Sequence, residues 1–182
     1  GSLLAAGHTG EIAQAWVDAG APHPHPGLVE ALDAIFTEGA EGSVAVTDLA
    51  ALFERLMARG LALGVATSDS AAGARATLKA VGLGGQSFFV AGYDSGHGGK
   101  PQPGMVLAFC RETGLEPAEV AVVGDNLHDI HMGRAAGCGL CVGVLTGTAN
   151  EAELAADADH VIGGIDRLEA LFDELGAWPE PA

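Results

Sequence analysis

Short apolar runs alternate with segments of helical periodicity from about residue 47 to the end of the chain. The apolar runs predict strands over residues 61–66, 88–91, 120–123, 140–144 and 160–162. Between them, apolar positions three and four apart predict helices over residues 48–59, 70–81, 104–113, 130–136, 151–156 and 165–175. Strands that are apolar throughout are typical of a parallel sheet covered on both faces by crossover helices. The predicted fold class is α/β, with a doubly wound parallel sheet.

The first 45 residues have a different pattern. Apolar side chains recur at helical spacing in two places, at Ile12, Trp16 and Val17 and again at Leu28, Leu32, Ile35 and Phe36. Residues 22–26 alternate proline with histidine and are predicted to be extended or turning, because a residue before proline disfavours the α conformation. The sequence therefore predicts a small helical unit over residues 1–45 and an α/β core over residues 46–182. Thr47 is the predicted N-cap of the first core helix, and Gly60 its predicted end.

The composition excludes several classes of partner. Eight Lys and Arg against 24 Asp and Glu give a formal net charge of −16, and both nucleic acids and anionic membranes attract basic proteins instead. No apolar run approaches the ~18 residues of a membrane span, no basic-then-apolar leader opens the sequence, and three cysteines do not make a disulfide framework. We therefore expect a cytoplasmic protein, monomer or homodimer, whose partner is a small molecule and neither nucleic acid nor membrane.

Polar residues follow the first two predicted strands, where an open parallel sheet binds its ligands. Thr67, Ser68 and Asp69 follow the first strand and lead into a helix, whose N-terminal N–H groups favour an anion. Lys100 lies in a loop of glycines and prolines after the second strand, and a cation held there can neutralise a bound phosphate. The alternatives at this stage are an ordinary helix cap and a solvated loop lysine.

Two carboxylates follow the third predicted strand. Asp125 lies at the strand end and Asp129 at the start of the next helix, so both can approach one hard cation. Mg²⁺ prefers a few such oxygens and keeps several waters. The alternative is that Asp129 caps the helix and Asp125 is solvated.

The three segments together resemble the motifs of the haloacid dehalogenase superfamily of phosphatases. The resemblance covers about residues 47–175 and matches the second motif to Thr67, the third to Lys100 and the fourth to Asp125 and Asp129. The sequence is most similar to the phosphoglycolate phosphatase-like branch, through Gly-Val-Ala-Thr-Ser-Asp (64–69), Val-Ala-Gly-Tyr-Asp (90–94) and Lys-Pro-Gln-Pro (100–103).

This resemblance implies a Rossmann-like core with a helical cap, and Mg²⁺-dependent hydrolysis of a small phosphate monoester through an aspartyl-phosphate intermediate. It assigns Lys100 and Thr67 to catalysis, and Thr67, Ser68, Asp69 and Lys100 to binding a small phosphorylated metabolite. It assigns Asp125 and Asp129 to the metal.

The family's first motif, Asp-x-Asp-Gly-Thr, does not occur in the sequence. In the family this motif ends a first, central strand and carries the nucleophile, so we expect a core that lacks this strand and a chain that is inactive alone. The flanking strand edges are expected to close up, unless residues 3–6 or 44–46 fill the gap. Asp48 ends a β-like run, but no second aspartate follows at Ala50 to form the pair that nucleophilic catalysis needs.

There are three alternative functions. A haloacid dehalogenase needs no metal, and the Gly-Asp-x-x-x-Asp pattern of residues 124–129 argues against it. A receiver-like signalling domain does not suit the Lys-Pro-Gln-Pro loop of residues 100–103 or the helical N-terminal unit. The third alternative is a catalytically inactive fragment or binding module. Cys138 and Cys141 have the spacing of a redox or zinc pair but are predicted to pack in the core. His128 and His131 are a weaker transition-metal candidate beside Asp129.

Overall fold

The computed structural model describes residues 7–22 and 25–179. Its α-helices are α1 (Thr9–Asp18), α2 (His25–Gly39), α3 (Leu49–Ala58), α4 (Ala71–Ala80), α5 (Gly104–Thr113), α6 (Leu127–Ala136), α7 (Glu151–Ala155) and α8 (Leu168–Leu175). Its strands are β1 (Gly64–Ala66), β2 (Phe89–Ala91), β3 (Ala121–Gly124), β4 (Leu140–Val144) and β5 (His160–Ile162). Single 3₁₀ turns cover Ala40–Gly42, Pro117–Glu119 and Ile165–Arg167. The predicted α/β alternation is confirmed.

The strands form two parallel sheets. One consists of β1 and β2, and the other has the order β3-β4-β5. Gly64 lies opposite Phe89 in the first sheet, and Ala121 lies opposite Leu140 in the second. Because all pairs are parallel, the carboxyl ends of the strands within each sheet lie at one edge, where loops can present side chains to a ligand.

Helices cover both faces of the sheets. On one face α5 buries Met105, Val106 and Phe109 against Ala91 and Val122. On the other, α3 and α8 form a second apolar cluster through Leu52, Leu56, Leu168 and Phe172. The helical pair α1–α2 has a small core of its own, which includes Ile12 and Leu32. The apolar runs of the sequence thus lie between layers of helix, as the periodicity predicts.

A cavity of about 510 Å³ separates the two sheets. In the part of the chain that the structure describes, β1 pairs only with β2 and β3 pairs only with β4. Each of β1 and β3 therefore has one unpaired edge. Residues of both strands line the cavity, together with Phe109 of α5 and Phe172 of α8. The expectation that these edges close up against each other is therefore wrong. We call this space the inter-sheet cavity.

Of the two candidate segments, residues 44–46 do not fill the inter-sheet cavity. Val44 and Val46 are 89% and 62% exposed, and no strand includes them. Residues 3–6 lie outside the described residues. Asp48, the weak nucleophile candidate, accepts a 3.0 Å hydrogen bond from the backbone N–H of Ala51 and so caps α3. Thr47 was the predicted cap, and that prediction is wrong by one residue.

Other boundaries differ from the prediction for local reasons. α6 begins at Leu127, three residues early, because the Asn126 side chain accepts a hydrogen bond from the N–H of His128. α2 begins at His25 and contains Pro26 in its first turn, where a helix needs no N–H donor. The prediction of extended chain through residue 26 is therefore wrong at its end; residues 23 and 24 lie outside the described residues.

None of the helices in the described ranges is long and apolar enough to cross a membrane.

Candidate active site

Lys100 connects the two sheets. Its Nζ lies 2.7 Å from Oδ1 of Asp129, which follows β3, and 3.4 Å from the carbonyl oxygen of Ala66, the last residue of β1. The two side chains of the ion pair are only 12% and 9% exposed. Asp129 and Ala66 also line the inter-sheet cavity. The Lys100 ammonium therefore lies at the end of the cavity where the strands have their carboxyl ends. A charge desolvated to this degree interacts more strongly with a nearby anion than a surface lysine does.

Asp129 uses both of its carboxylate oxygens inside the protein. Oδ1 accepts from Lys100, and Oδ2 accepts a 3.1 Å hydrogen bond from the N–H of Asn126. Gly124 provides the space for this side chain, because an ideal Cβ at that position would lie 2.1 Å from Cβ of Asp129. The tight end of β3 at Gly124, the Asn126 helix cap and the anchored carboxylate of Asp129 are therefore packed together.

Asp125 is half-buried directly after β3 and is held by the loop that follows β4. Its carbonyl oxygen accepts a 3.2 Å hydrogen bond from the N–H of Ala149. Next to it, the Asn126 side chain donates to Oγ1 of Thr148 at 2.9 Å. An ideal Cβ at Gly147 would lie 1.5 Å from Oδ2 of Asp125, so the Gly147 backbone lies against the carboxylate.

This loop is not among the site residues predicted from the sequence. The signal was available: β4 ends at the same edge as β3, and the residues after it include Thr146, Thr148 and Asn150. Applying the strand-end rule to a fourth strand would have found them.

Thr67 extends the β1–β2 pairing by donating its N–H to the carbonyl oxygen of Ala91 at 3.0 Å. Its hydroxyl oxygen accepts a 3.1 Å hydrogen bond from the N–H of Asp69. Within residues 7–22 and 25–179 the hydroxyl donates no hydrogen bond, so it can donate one to a ligand oxygen. The Asp69 N–H is used within the loop, and the Asp69 side chain is exposed. Ser70 caps α4 by accepting from the N–H of Gly73 at 3.2 Å.

Asp94, in the loop after β2, was not predicted as a site residue. Its Oδ1 accepts a 2.8 Å hydrogen bond from the N–H of Ala71, the first residue of α4. Gly92 allows this contact, because an ideal Cβ there would lie 2.3 Å from the Ala71 nitrogen. Asp94 therefore fixes the loop before Lys100 against the loop that carries Thr67.

The helical pair α1–α2 docks beside Lys100 through Tyr93. The Tyr93 hydroxyl donates a 2.7 Å hydrogen bond to Oδ2 of Asp33 in α2, whose Oδ1 accepts from the hydroxyl of Thr9 in α1 at 2.6 Å. The ring of His8 stacks on Tyr93 with centroids 4.9 Å apart. Desolvation, reinforced by the hydrogen bond to Asp33, raises the pKa of Tyr93 to about 12, so the phenol keeps its donor proton.

The structure brings some of the predicted site residues together. Lys100 and Asp129 are in contact, Asp125 lies at the end of the same strand β3, and Thr67 follows the Ala66 carbonyl that faces the lysine. Ser68 is half-buried between Thr67 and the exposed Asp69. The metal and substrate roles of these residues stay predictions.

The two weaker candidates have no geometry that supports a site. His131 is exposed and lies 2.9 Å from Asp157, and no group of three or more histidine, cysteine or acidic side chains in residues 7–22 and 25–179 is arranged to hold a metal. All three cysteines are free, and desolvation raises the pKa of Cys138 to about 12. The thiolate that redox or zinc chemistry needs is therefore disfavoured.

Thr67, Lys100 and the two carboxylates Asp125 and Asp129 follow β1, β2 and β3 in the chain, on the side of the strand ends where α/β enzymes place their sites. The haloacid dehalogenase-like hydrolase model matches residues 9–137. The chain belongs to this family.

Two curated relatives illustrate the similarity. The chain is 37% identical over 107 residues to a probable phosphatase, IndB, of Dickeya dadantii, an alignment that covers 59% of this chain and 46% of the relative. It is 34% identical over 131 residues to a phosphoglycolate phosphatase of Rhodospirillum rubrum, covering 72% of this chain and 52% of the relative. The chain thus spans about half the length of the curated relatives it matches.

Solved structures share the fold. A hydrolase from Pseudomonas syringae superposes with a TM-score of 0.77 at 26% identity, covering 93% of this chain and 80% of that one. A haloacid dehalogenase family hydrolase from Deinococcus radiodurans, solved with bound phosphate and sodium, superposes with a TM-score of 0.71 at 22% identity, covering 88% and 71%.

Proposed function

We propose that the chain forms most of a Mg²⁺-dependent phosphatase that hydrolyses a small, phosphoglycolate-like phosphate monoester through an aspartyl-phosphate intermediate. The observation that carries the proposal is the position of Lys100. Its ammonium bridges the ends of β1 and β3 at one end of an apolar cavity, where it can neutralise a phosphoryl group. The phosphatase names of the relatives from Dickeya and Rhodospirillum support the same reaction class.

Each residue has a defined part in this proposal. Lys100 offsets the charge of the transferring phosphoryl group. The Thr67 hydroxyl and the Ser68 N–H donate hydrogen bonds to phosphoryl oxygens. Asp69 supports this loop through its N–H bond to Thr67. Asp129 holds the lysine in place, because its Oδ1 is the nearest acceptor.

The residues present fit a magnesium ion. Asp125 has a half-buried carboxylate at a strand end, and this carboxylate occupies the position that a Cβ at residue 147 would take. Mg²⁺ is typically held by one or two carboxylates plus waters and substrate phosphate, so the absence of a three-ligand cluster in the described residues agrees with such a site. When bound, the ion neutralises charge on the phosphate oxygens. Asp125 is the proposed ligand. Asp129 holds Lys100 and the Asn126 backbone in position beside it by accepting a hydrogen bond from each.

The nucleophile is proposed to come from a strand in the inter-sheet cavity. The printed sequence has no Asp-x-Asp-Gly-Thr to provide the nucleophile together with its acid/base partner. The cavity is apolar and borders the unpaired edges of β1 and β3, which offer hydrogen-bond partners to one more parallel strand. A strand parallel to them would end beside Lys100 and Asp125.

Residues 1–45 are proposed to belong to a cap and residues 46–182 to the catalytic core. Tyr93, Asp33 and His8 place α1–α2 over the loop that carries Lys100, which restricts the space above the phosphate position. This placement supports a small phosphorylated metabolite as the substrate.

The test uses the purified chain, 2-phosphoglycolate, Mg²⁺ and a synthetic peptide with an apolar strand ending in Asp-x-Asp-Gly-Thr. We expect no phosphate release by the chain alone and Mg²⁺-dependent release when the peptide is added. A matched peptide with both aspartates changed to asparagine should bind without restoring hydrolysis. Asp125→Asn should abolish the Mg²⁺ dependence, because it removes a charged ligand from a weakly binding cation.

Three other outcomes would contradict parts of this proposal. Turnover by the chain alone would place the nucleophile on this chain and overturn its assignment to an added strand. Peptide binding without any hydrolysis would favour a non-catalytic binding module. Metal-independent release of chloride from a 2-chloro acid would identify a haloacid dehalogenase.

A further inference from the structure

The loop after β4, residues 145–149, contacts Asp125 at two points and the neighbouring Asn126 at a third. An ideal Cβ at Gly147 would lie 1.5 Å from Oδ2 and 2.2 Å from Cγ of Asp125. The Ala149 N–H donates to the Asp125 carbonyl oxygen at 3.2 Å, and Thr148 accepts from the neighbouring Asn126 side chain at 2.9 Å. Both the main chain and the carboxylate of Asp125 therefore depend on where this loop lies.

Gly147 is not required by its own backbone conformation. Its φ is not in the positive range, in contrast to eight other glycines of the described residues, so φ does not require a glycine here. What excludes a side chain is the Asp125 carboxylate. Gly163, directly after the neighbouring strand β5, also lacks a positive φ, and an ideal Cβ there would meet no atom within 4 Å. Gly147 thus lies against a carboxylate, and Gly163 does not.

We propose that Gly147 is a positioning residue that fixes the orientation of the Asp125 carboxylate toward a divalent cation. Because residue 147 has no side chain, the β4–α7 loop can pack directly against the Asp125 carboxylate. This packing limits the rotation of the carboxylate, and the loop itself provides no metal ligand. This inference deepens the proposed function and rests on the metal-binding role given there to Asp125. A methyl group at residue 147 cannot be accommodated unless the carboxylate or the loop moves.

The test measures binding of Mn²⁺, a paramagnetic substitute for Mg²⁺, to the complete chain by NMR. The readout is the Mn²⁺ concentration that broadens the backbone amide signals of Gly124 and Asn126. We expect Gly147→Ala to need about 10–100-fold more Mn²⁺, the usual cost of disturbing a residue that orients a metal ligand. Gly163→Ala is the matched control and should behave as wild type. Asp125→Asn should abolish the specific broadening.

The outcomes separate this inference from the proposed function. Wild-type Mn²⁺ affinity in Gly147→Ala, with affinity lost in Asp125→Asn, overturns the positioning role and leaves the metal role intact. Equal affinity in wild type and Asp125→Asn, or no binding by either, overturns both. A metal-free crystal structure of Gly147→Ala with an unmoved Asp125 carboxylate also overturns the positioning role.

A second variant covers the case in which Gly147→Ala does not fold. Thr148→Val removes the acceptor of the Asn126 side chain from the same loop and adds no volume beside the carboxylate. We expect a loss of several-fold in Mn²⁺ affinity with an unchanged melting temperature. Unchanged affinity in a folded Thr148→Val chain overturns the proposal.

Discussion

Lys100 and Asp129 form a 2.7 Å ion pair that joins the loop after β2 to the first turn of α6. Because these elements belong to different sheets, the pair is a polar contact across the end of the inter-sheet cavity. Asp129 has one further donor, the Asn126 N–H, and is otherwise nearly buried. The pair therefore has a structural role that can be measured without an assay of activity.

Lys100→Ala should lower the free energy of unfolding by about 1–3 kcal/mol, because it leaves one buried carboxylate oxygen without its donor. Urea unfolding measures this. Lys79→Ala is the control, since Lys79 is the other lysine of the sequence and is exposed on α4. Equal losses in the two variants would contradict the prediction.

In a catalytically competent assembly with the strand peptide, Lys100→Ala should also reduce kcat by about 10²-fold or more. A change in KM alone would make Lys100 a substrate tether.

Gly124→Ala should destabilise the protein by about 1–3 kcal/mol, the usual cost of overpacking, because the new methyl group collides with the Asp129 side chain. Gly85→Ala is the control, since an ideal Cβ there meets no atom within 4 Å. The specific expectation comes from a double-mutant cycle: Lys100→Ala should cost less in the Gly124→Ala background than in wild type. Strict additivity of the two losses would show that Gly124 does not act through Asp129.

Tyr93→Phe should loosen the docking of α1 and α2 onto the core. It removes one hydrogen bond to Asp33, worth about 1 kcal/mol, and keeps the aromatic stack with His8. Hydrogen exchange should become faster in residues 9–39 and stay unchanged in α6. His131→Gln, which removes an exposed contact to Asp157, is the control and should leave exchange in residues 9–39 unchanged. Unaltered exchange in Tyr93→Phe would show that other contacts hold the helical pair.

Stability should fall as the pH rises above about 9. Desolvation raises the pKa of Cys138 from 9.0 to about 12, so between these values the unfolded chain binds fewer protons than the folded one. The stabilising effect of the protonated thiol is complete below pH 9 and is lost as the pH rises toward 12. The thermal midpoint, measured from pH 7 to 11, should decline less steeply in Cys138→Ala than in wild type. Parallel curves would exclude the contribution of Cys138.

The elements were predictable where local sequence decides them. The bounds of α5, β4 and β5 agree with the prediction, because apolar periodicity and flanking glycines mark their ends without ambiguity. The start of α3 was not decided in this way. Thr47 and Asp48 are both good cap residues, and the choice depends on which one has the backbone angles that aim its side chain at the helix.

The candidate site was predictable only as a set of strand ends. Spacing indicated that Lys100, Asp125 and Asp129 meet at one edge, but not that the lysine would bind Asp129. The Tyr93–Asp33 contact joins residues 60 positions apart, which no periodicity reports. The role of Gly147 depends on the path of a loop over a neighbouring strand, and a single sequence does not encode that path in any local pattern.

The division of the sheet has a consequence for how the chain folds. Every strand pair in the described residues joins strands that are consecutive in chain order, so β1–β2 and β3–β4–β5 are two units of short sequence separation. Local pairings form quickly because little loop-closure entropy is lost. We expect each unit to form early and the boundary between them to form last, with the lowest free energy of opening in the molecule. Segments along the inter-sheet cavity are then the first sites for proteolysis and for self-association through open strand edges.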